Sequence, residues 1–139
     1  MSTGVDADPA VLAWRAMRSL VLDHDRRSAV AEAVGLSFIR VKALLQLADG
    51  ARTMSELAAA LSCDAPYATV VVDDLQRREL VSRSAHPQDR RVKVVTITAA
   101  GAEVATRARL LLEEPPAELR RLPAGDAVLL AGLLTRLAH

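Results

Sequence analysis

The spacing of apolar residues divides the chain into helical stretches that flank one short region of strand. Asp8-Pro9 reads as a helix start, with aspartate at the N-cap and proline in the first turn. From Ala10 to Val34 there is no Gly or Pro, and Leu12, Leu20, Ala29, Val30, Ala33 and Val34 keep an approximate helical period. Gly35 then closes the run as a C′ residue. The pattern predicts one helix of about 25 residues, nearly 40 Å long. A small domain has little use for so long a helix, so part of its surface is expected to pack on something else.

Ser37 is placed to cap the next helix, FIRVKALLQLA, with Phe38, Val41, Leu44, Leu45 and Ala48 directed inward and Asp49-Gly50 as the turn that ends it. Thr53-Met54-Ser55-Glu56 is a capping box, in which the threonine hydroxyl and the glutamate each satisfy a free backbone N–H. It opens a short helix that ends near Leu61-Ser62. Asp64 caps another, APYATVVVDDLQRREL, after so short a break that the two must cross steeply, as in a helix-turn-helix. Ala68, Val71, Val72 and Leu75 fall at i, i+3, i+4 and i+7 and form the buried stripe of this second helix. Its opposite face carries Pro66, Tyr67, Val70, Asp74 and Arg77. An outward valine and tyrosine on the first turns suit contact with thymine methyls and with sugar or phosphate. Alternatively, Tyr67 covers the end of the preceding helix.

Beyond this helix the period changes. LVSRSA and HPQDRRVKVVTIT read as two strands of a hairpin, with Pro87 and the charged residues up to Arg91 at its tip. Helix, helix-turn-helix, then hairpin is the winged-helix order. There the second helix enters the major groove, and an arginine at the hairpin tip can reach the negative potential of a narrow minor groove. Arg90 and Arg91 occupy that tip, with Asp89 placed to orient the Arg91 guanidinium.

Composition adds little to this until charge is resolved by position. The 139 residues are 51% hydrophobic and 25% charged, with a formal net charge of +1, which by itself indicates no polyanionic partner. Between Arg77 and Lys93, however, six basic residues (Arg77, Arg78, Arg83, Arg90, Arg91, Lys93) face two acidic ones (Glu79, Asp89), which points to a polyanion. No apolar run suggests a membrane span, no signal peptide is expected from the N-terminus, and the single cysteine fits a reducing, cytoplasmic setting.

Asp89-Arg90-Arg91 followed by VKVVTITAAG resembles the wing of the multiple-antibiotic-resistance regulator (MarR) family, which has the form D-x-R, a short apolar strand, then L-T-x-x-G. Ile97 stands at the leucine, and Thr98 and Gly101 match. Thr69, Asp73, Leu75, Leu80 and Val81 are similar to the family's recognition segment. The resemblance runs over nearly the whole chain. It implies a mainly α fold with a small β-hairpin wing, and a twofold dimer whose first and last helices interlock. On this reading 1–139 is a single domain, with dimerisation helices at 8–34 and 99–139 and the winged helix-turn-helix at 36–98. The implied DNA-contacting residues are Pro66, Tyr67, Thr69, Val70, Arg77, Arg90 and Arg91, and Asp73 pairing with Arg83 would brace helix against wing. A dimer of this kind reads an inverted repeat in double-stranded DNA. Two positions depart from the family. Asp74 replaces a frequent basic residue and, as a carboxylate near DNA, is expected to be repelled by phosphate. Glu79 replaces a frequent glycine, so the helix is expected to end with another geometry.

The C-terminal third fits the same architecture. Thr98 caps AAGAEVATRARLLLEE, Pro115-Pro116 interrupts it, and a last helix from Ala124 to Ala138 carries Val128, Leu129, Leu130, Leu133, Leu134 and Leu137. That is more leucine than a single flanking helix needs, and a homodimer interface built from both chain ends would use it. By the same resemblance, family members often bind small, lipophilic, frequently anionic aromatics. Trp14 and Arg18, at i and i+4, offer a stacking face and a cation for such an effector, against the plainer readings of core packing and a surface ion pair. Cys63 beside a helix N-terminus is either a redox sensor or a small buried hydrophobe. His24 with Asp23 and Asp25 is a solvated polar segment rather than a metal cluster, because helical neighbours point apart. With no phosphate loop, G-x-S-x-G or H-E-x-x-H, neither enzymatic activity nor a cofactor or metal is expected. Two functions remain open: a dimeric DNA-binding transcription regulator, most often a repressor in this family, and a winged-helix dimer that binds protein after losing its DNA contacts.

Overall fold

The computed structural model describes residues 7–139. Where one long first helix was expected, there are two, α1 (Pro9–Asp23) and α2 (Arg27–Val34). Asp8 caps α1 by accepting the Ala10 N–H at 2.9 Å. At the break, His24 leaves helical geometry (φ −119°, ψ 37°), and Asp25 accepts the Arg27 backbone N–H and Nε, both at 3.0 Å. A short polar side chain that bonds to the following turn competes with helix continuation, so freedom from Gly and Pro was not enough to keep α1 running. Gly35 ends α2 in the left-handed region (φ 71°), as the sequence predicts.

Helix α3 spans Phe38–Ala48. Its inward stripe is centred on Val41, Ala43, Leu44 and Leu47, while Ala48, expected inside, is exposed and Phe38 and Leu45 are half-buried. Ser37 has the extended N-cap backbone, but its hydroxyl accepts from Arg40 Nη1 at 2.8 Å in place of a backbone N–H. Next come a two-residue strand β1 (Arg52–Thr53), then α4 (Met54–Ala60) and α5 (Ala65–Arg77). Thr53 caps α4 by accepting the Glu56 N–H at 3.1 Å. Its hydroxyl also lies 3.1 Å from Glu56 Oε1, so the box closes side chain to side chain.

Strands β2 (Val81–His86) and β3 (Asp89–Ile97) form the hairpin, in register from Val81↔Ile97 to Ala85↔Lys93 with a bulge at Ala85/His86. β1 adds to the far side of β3, pairing Arg52↔Val95 and Thr53↔Val94, so the sheet order is β1-β3-β2. Two residues cannot show a period, which is why β1 is invisible in the sequence. Helix α6 (Ala99–Glu113), a four-residue α7 (Ala117–Arg120) and α8 (Ala124–Leu137) complete the chain.

The chain separates into two compact units, residues 25–112 and residues up to 24 with 113–139. The first holds the core: Val30, Val41, Leu44, Leu47, Leu57, Val71, Val72, Leu75, Val81, Val95, Ala105 and Ala108 form one buried cluster. Because Val30 of α2 and Ala105 and Ala108 of α6 belong to this cluster, both helices pack with the winged helix, whereas the sequence reading drew its limits at 36 and 98. In the second unit, α1, α7 and α8 bury no residue. There Trp14, Leu22, Val128, Leu129 and Leu137 are 60–75% exposed.

Candidate nucleic-acid interface

The turn between α4 and α5 contains Ser62 in the left-handed region (φ 53°), and Cys63, half-buried, packs against the core. Asp64 accepts the Tyr67 N–H at 2.8 Å and so starts α5. With Ala68, Val71, Val72 and Leu75 buried, the helix presents Tyr67 (43% exposed) and Val70 (53% exposed) outward. Pro66 lies exposed in the same first turn, and Thr69, also exposed, donates its hydroxyl to the Ala65 carbonyl at 3.1 Å. Arg77, further along, is exposed as well.

Val70, Asp73, Gln76 and Arg77 of α5 line a concavity with Arg83 of β2. Across it, Arg83 donates Nη2 to Asp73 and Nε to Gln76, the latter at 2.8 Å. Two α5 side chains thus hold one wing guanidinium, which ties the wing to the helix. At the wing tip, Asp89 accepts the Arg91 backbone N–H at 3.1 Å and its Nε at 3.2 Å. The side-chain hydrogen bond from Arg91, followed by the backbone one, holds the Asp89 carboxyl below the usual carboxylate range. Arg91 itself stays 91% exposed, and Arg90 is exposed beside it.

Asp74, the carboxylate expected to be repelled by phosphate, is not bare. It accepts from Arg40 Nε at 2.8 Å, Arg78 Nε at 2.9 Å and Arg77 Nη2 at 3.0 Å, and these arginines cover it. Burial acts to raise its pKa, but the hydrogen bonds from Arg78 and Arg40 outweigh that and leave it below the ordinary value. Glu79 also differs from expectation. It takes the left-handed geometry that glycine would take (φ 61°). The Glu79 N–H bonds to the Gln76 carbonyl and the Leu80 N–H to the Leu75 carbonyl, each at 2.9 Å. The usual α5 terminus is therefore kept, with backbone strain in a non-glycine residue.

Thr98 connects this terminus to α6. Its hydroxyl donates to the Glu79 carbonyl at 2.8 Å and accepts the Gly101 N–H at 3.1 Å. The threonine and glycine of the wing motif thus act as one joint. Residues 43–93 match the MarR family model. The winged helix is similar to that of the MarR family.

Solved structures agree over a greater length. A cysteine-to-serine mutant of MarR from E. coli is similar with a TM-score of 0.75 and 22% identity, over 90% of this chain and 95% of that one. YusO from Bacillus subtilis follows at 0.70 and 20%, over 99% and 98%. NadR in complex with 4-hydroxyphenylacetate follows at 0.64 and 20%, over 99% and 97%. These similarities show that the MarR fold extends over most of the chain. No curated protein matches it in sequence.

The structure thus places Pro66, Tyr67, Thr69, Val70 and Arg77 on α5, and Arg90 and Arg91 at the wing tip. Trp14 and Arg18 lie exposed on α1, outside the apolar groove that Met17 and Leu20 line with Leu119 of α7 and Leu130 and Leu134 of α8. His24 pairs with Glu118 at 3.1 Å. Sequence reasoning counted Arg78 only within the basic patch and missed Gln76 and Arg40. Arg78 was legible at i+4 from Asp74, but Arg40 comes from 34 residues upstream, a distance at which no local period speaks.

Proposed function

We propose that the protein is a dimeric, sequence-specific DNA-binding transcription regulator of the cytoplasm, a repressor that binds an inverted repeat in double-stranded DNA. The observation that carries the proposal is the MarR-like winged helix with Tyr67, Val70 and Arg77 exposed on α5 and Arg90 and Arg91 exposed on the wing. On this reading α5 enters the major groove, where Pro66, Tyr67, Thr69 and Val70 meet base edges and sugar, and Arg77 meets phosphate. The wing arginines follow the neighbouring minor groove, with Asp89 orienting Arg91 and Asp73 holding the wing through Arg83. The exposed leucines of α8 and the apolar side chains of α1 are the dimerisation surface, closed by a second copy about a twofold axis.

A small aromatic acid is the effector class that we propose. NadR, a similar structure, is bound to 4-hydroxyphenylacetate, and Trp14 with Arg18 offers an exposed ring and a guanidinium one turn apart. Such a ligand releases DNA only by binding differently to two separations of the recognition helices. The protein-binding alternative draws on Asp74 and the mild net charge, and the arginines around that carboxylate weigh against the first of these grounds.

The test is selection of bound duplexes from a random pool by the purified protein at near-physiological salt. Enrichment of an inverted repeat is the expected result. Binding without sequence enrichment, abolished by modest salt, would bring the protein-interaction reading forward.

A further inference from the structure

We infer that Asp74 is a positioning residue that holds Arg77 and Arg78 as a clamp for a DNA backbone phosphate, with Arg40 bracing it from α3. This inference rests on the DNA-binding reading above. Three guanidinium groups share one carboxylate, so the cluster keeps an excess of two positive charges. Each arginine spends only part of its five-donor fork. Arg77 gives Asp74 one Nη2 hydrogen bond and Arg78 gives it Nε, while their side chains remain 76% and 50% exposed. The remaining N–H groups face solvent, and planar guanidinium pairs suit phosphate oxygens.

Arg40 serves differently. It is mostly buried, gives Nε to Asp74 and Nη1 to Ser37, and so joins the start of α3 to the last turns of α5. Without the carboxylate, the guanidiniums would repel one another and sample separate rotamers, at an entropic cost on binding DNA. Arg77 also borders the concavity between α5 and the wing, which makes the cluster continuous with the surface assigned to DNA.

This role predicts an effect opposite in sign to simple electrostatics. Removing a negative charge near DNA should tighten binding if Asp74 acts only by repulsion. If it positions the clamp, removal weakens binding. The experiment measures affinity by fluorescence anisotropy across a salt series for wild type, Asp74→Asn and Asp74→Ala. It uses a duplex carrying the selected site and a scrambled duplex of equal length. The expected loss is roughly 5- to 30-fold on both duplexes, with the slope of log affinity against log salt reduced by about 1 to 2, since each lost phosphate contact removes about 0.9.

A stability change alone leaves that slope unmoved. Equal or tighter binding with an unchanged slope overturns the inference, and so does a loss confined to the selected duplex. If wild type binds neither duplex at low salt, the DNA reading fails and takes this inference with it. If both Asp74 variants melt below the assay temperature, Arg78→Gln on its half-exposed side chain carries the test. Its slope should fall by about 1, and an unchanged slope overturns the clamp.

Discussion

A β-carbon on Gly101 would lie 2.1 Å from the carbonyl oxygen of Leu80. That oxygen is already engaged, accepting the Thr98 N–H at 3.0 Å, so it has no room to retreat. The first turn of α6 therefore sits directly on the backbone where α5 hands over to β2. Gly101→Ala should cost about 1–3 kcal/mol as an overpacked contact with backbone. Urea denaturation checks this; a change within a few tenths would show that the joint yields easily.

Glu79 gives a prediction of opposite sign. A left-handed residue with a side chain costs roughly 1–2 kcal/mol, against the 0.5–1 kcal/mol of chain entropy that glycine loses on folding. Glu79→Gly should then raise stability by about 0.5–1 kcal/mol, read as a higher urea midpoint with unchanged slope. Lower stability would mean that the glutamate side chain contributes something its geometry does not reveal.

At the wing, Arg91→Ala should weaken DNA binding by about 1–3 kcal/mol if this side chain enters the minor groove. Asp89→Ala should give part of the same loss by freeing Arg91 to wander. Titration of the selected duplex with both variants decides it, and full affinity in Arg91→Ala would remove the wing from the interface.

Leu133, partly exposed on α8, tests the dimer. Leu133→Glu would put a charge into a surface expected to be closed by a second copy. Sedimentation should then find monomer where wild type is dimer, and an unaffected dimer would place the interface elsewhere.

The α1–α2 break carries a pH signature. The side-chain and backbone hydrogen bonds with Arg27 lower the Asp25 pKa from 3.8 to about 2. A depressed folded-state pKa stabilises above the unfolded value, and that contribution is lost as pH falls from about 4 through 2. Melting temperatures of wild type and Asp25→Asn should therefore differ at pH 5 and converge towards pH 2. A constant difference across that range would mean that Asp25 acts through something other than its charge.

The sequence made visible whatever depends on neighbours along the chain. The stripe Ala68, Val71, Val72, Leu75 and the caps at Asp8, Thr53 and Asp64 are local, and each is present. The α1–α2 break was missed because it depends on how Asp25 spends its carboxylate, which composition does not encode. β1 was missed because its only signal is its partner strand. The surroundings of Asp74 were missed for a similar reason. Its charge was plain, but the Arg40 guanidinium that helps cover it arrives from another helix.

The division of the chain also sets a timetable for folding. Residues 25–112 are contiguous, so their buried cluster can close once α6 has been made. The other unit joins segments from either side of that stretch and must wait for the residues of α8. During synthesis α1 emerges before that stretch with its apolar side chains uncovered, and α7 and α8 supply its neighbours only later. The winged helix is thus expected to be native before the helical unit exists. The interval between them is when a nascent chain most needs a chaperone.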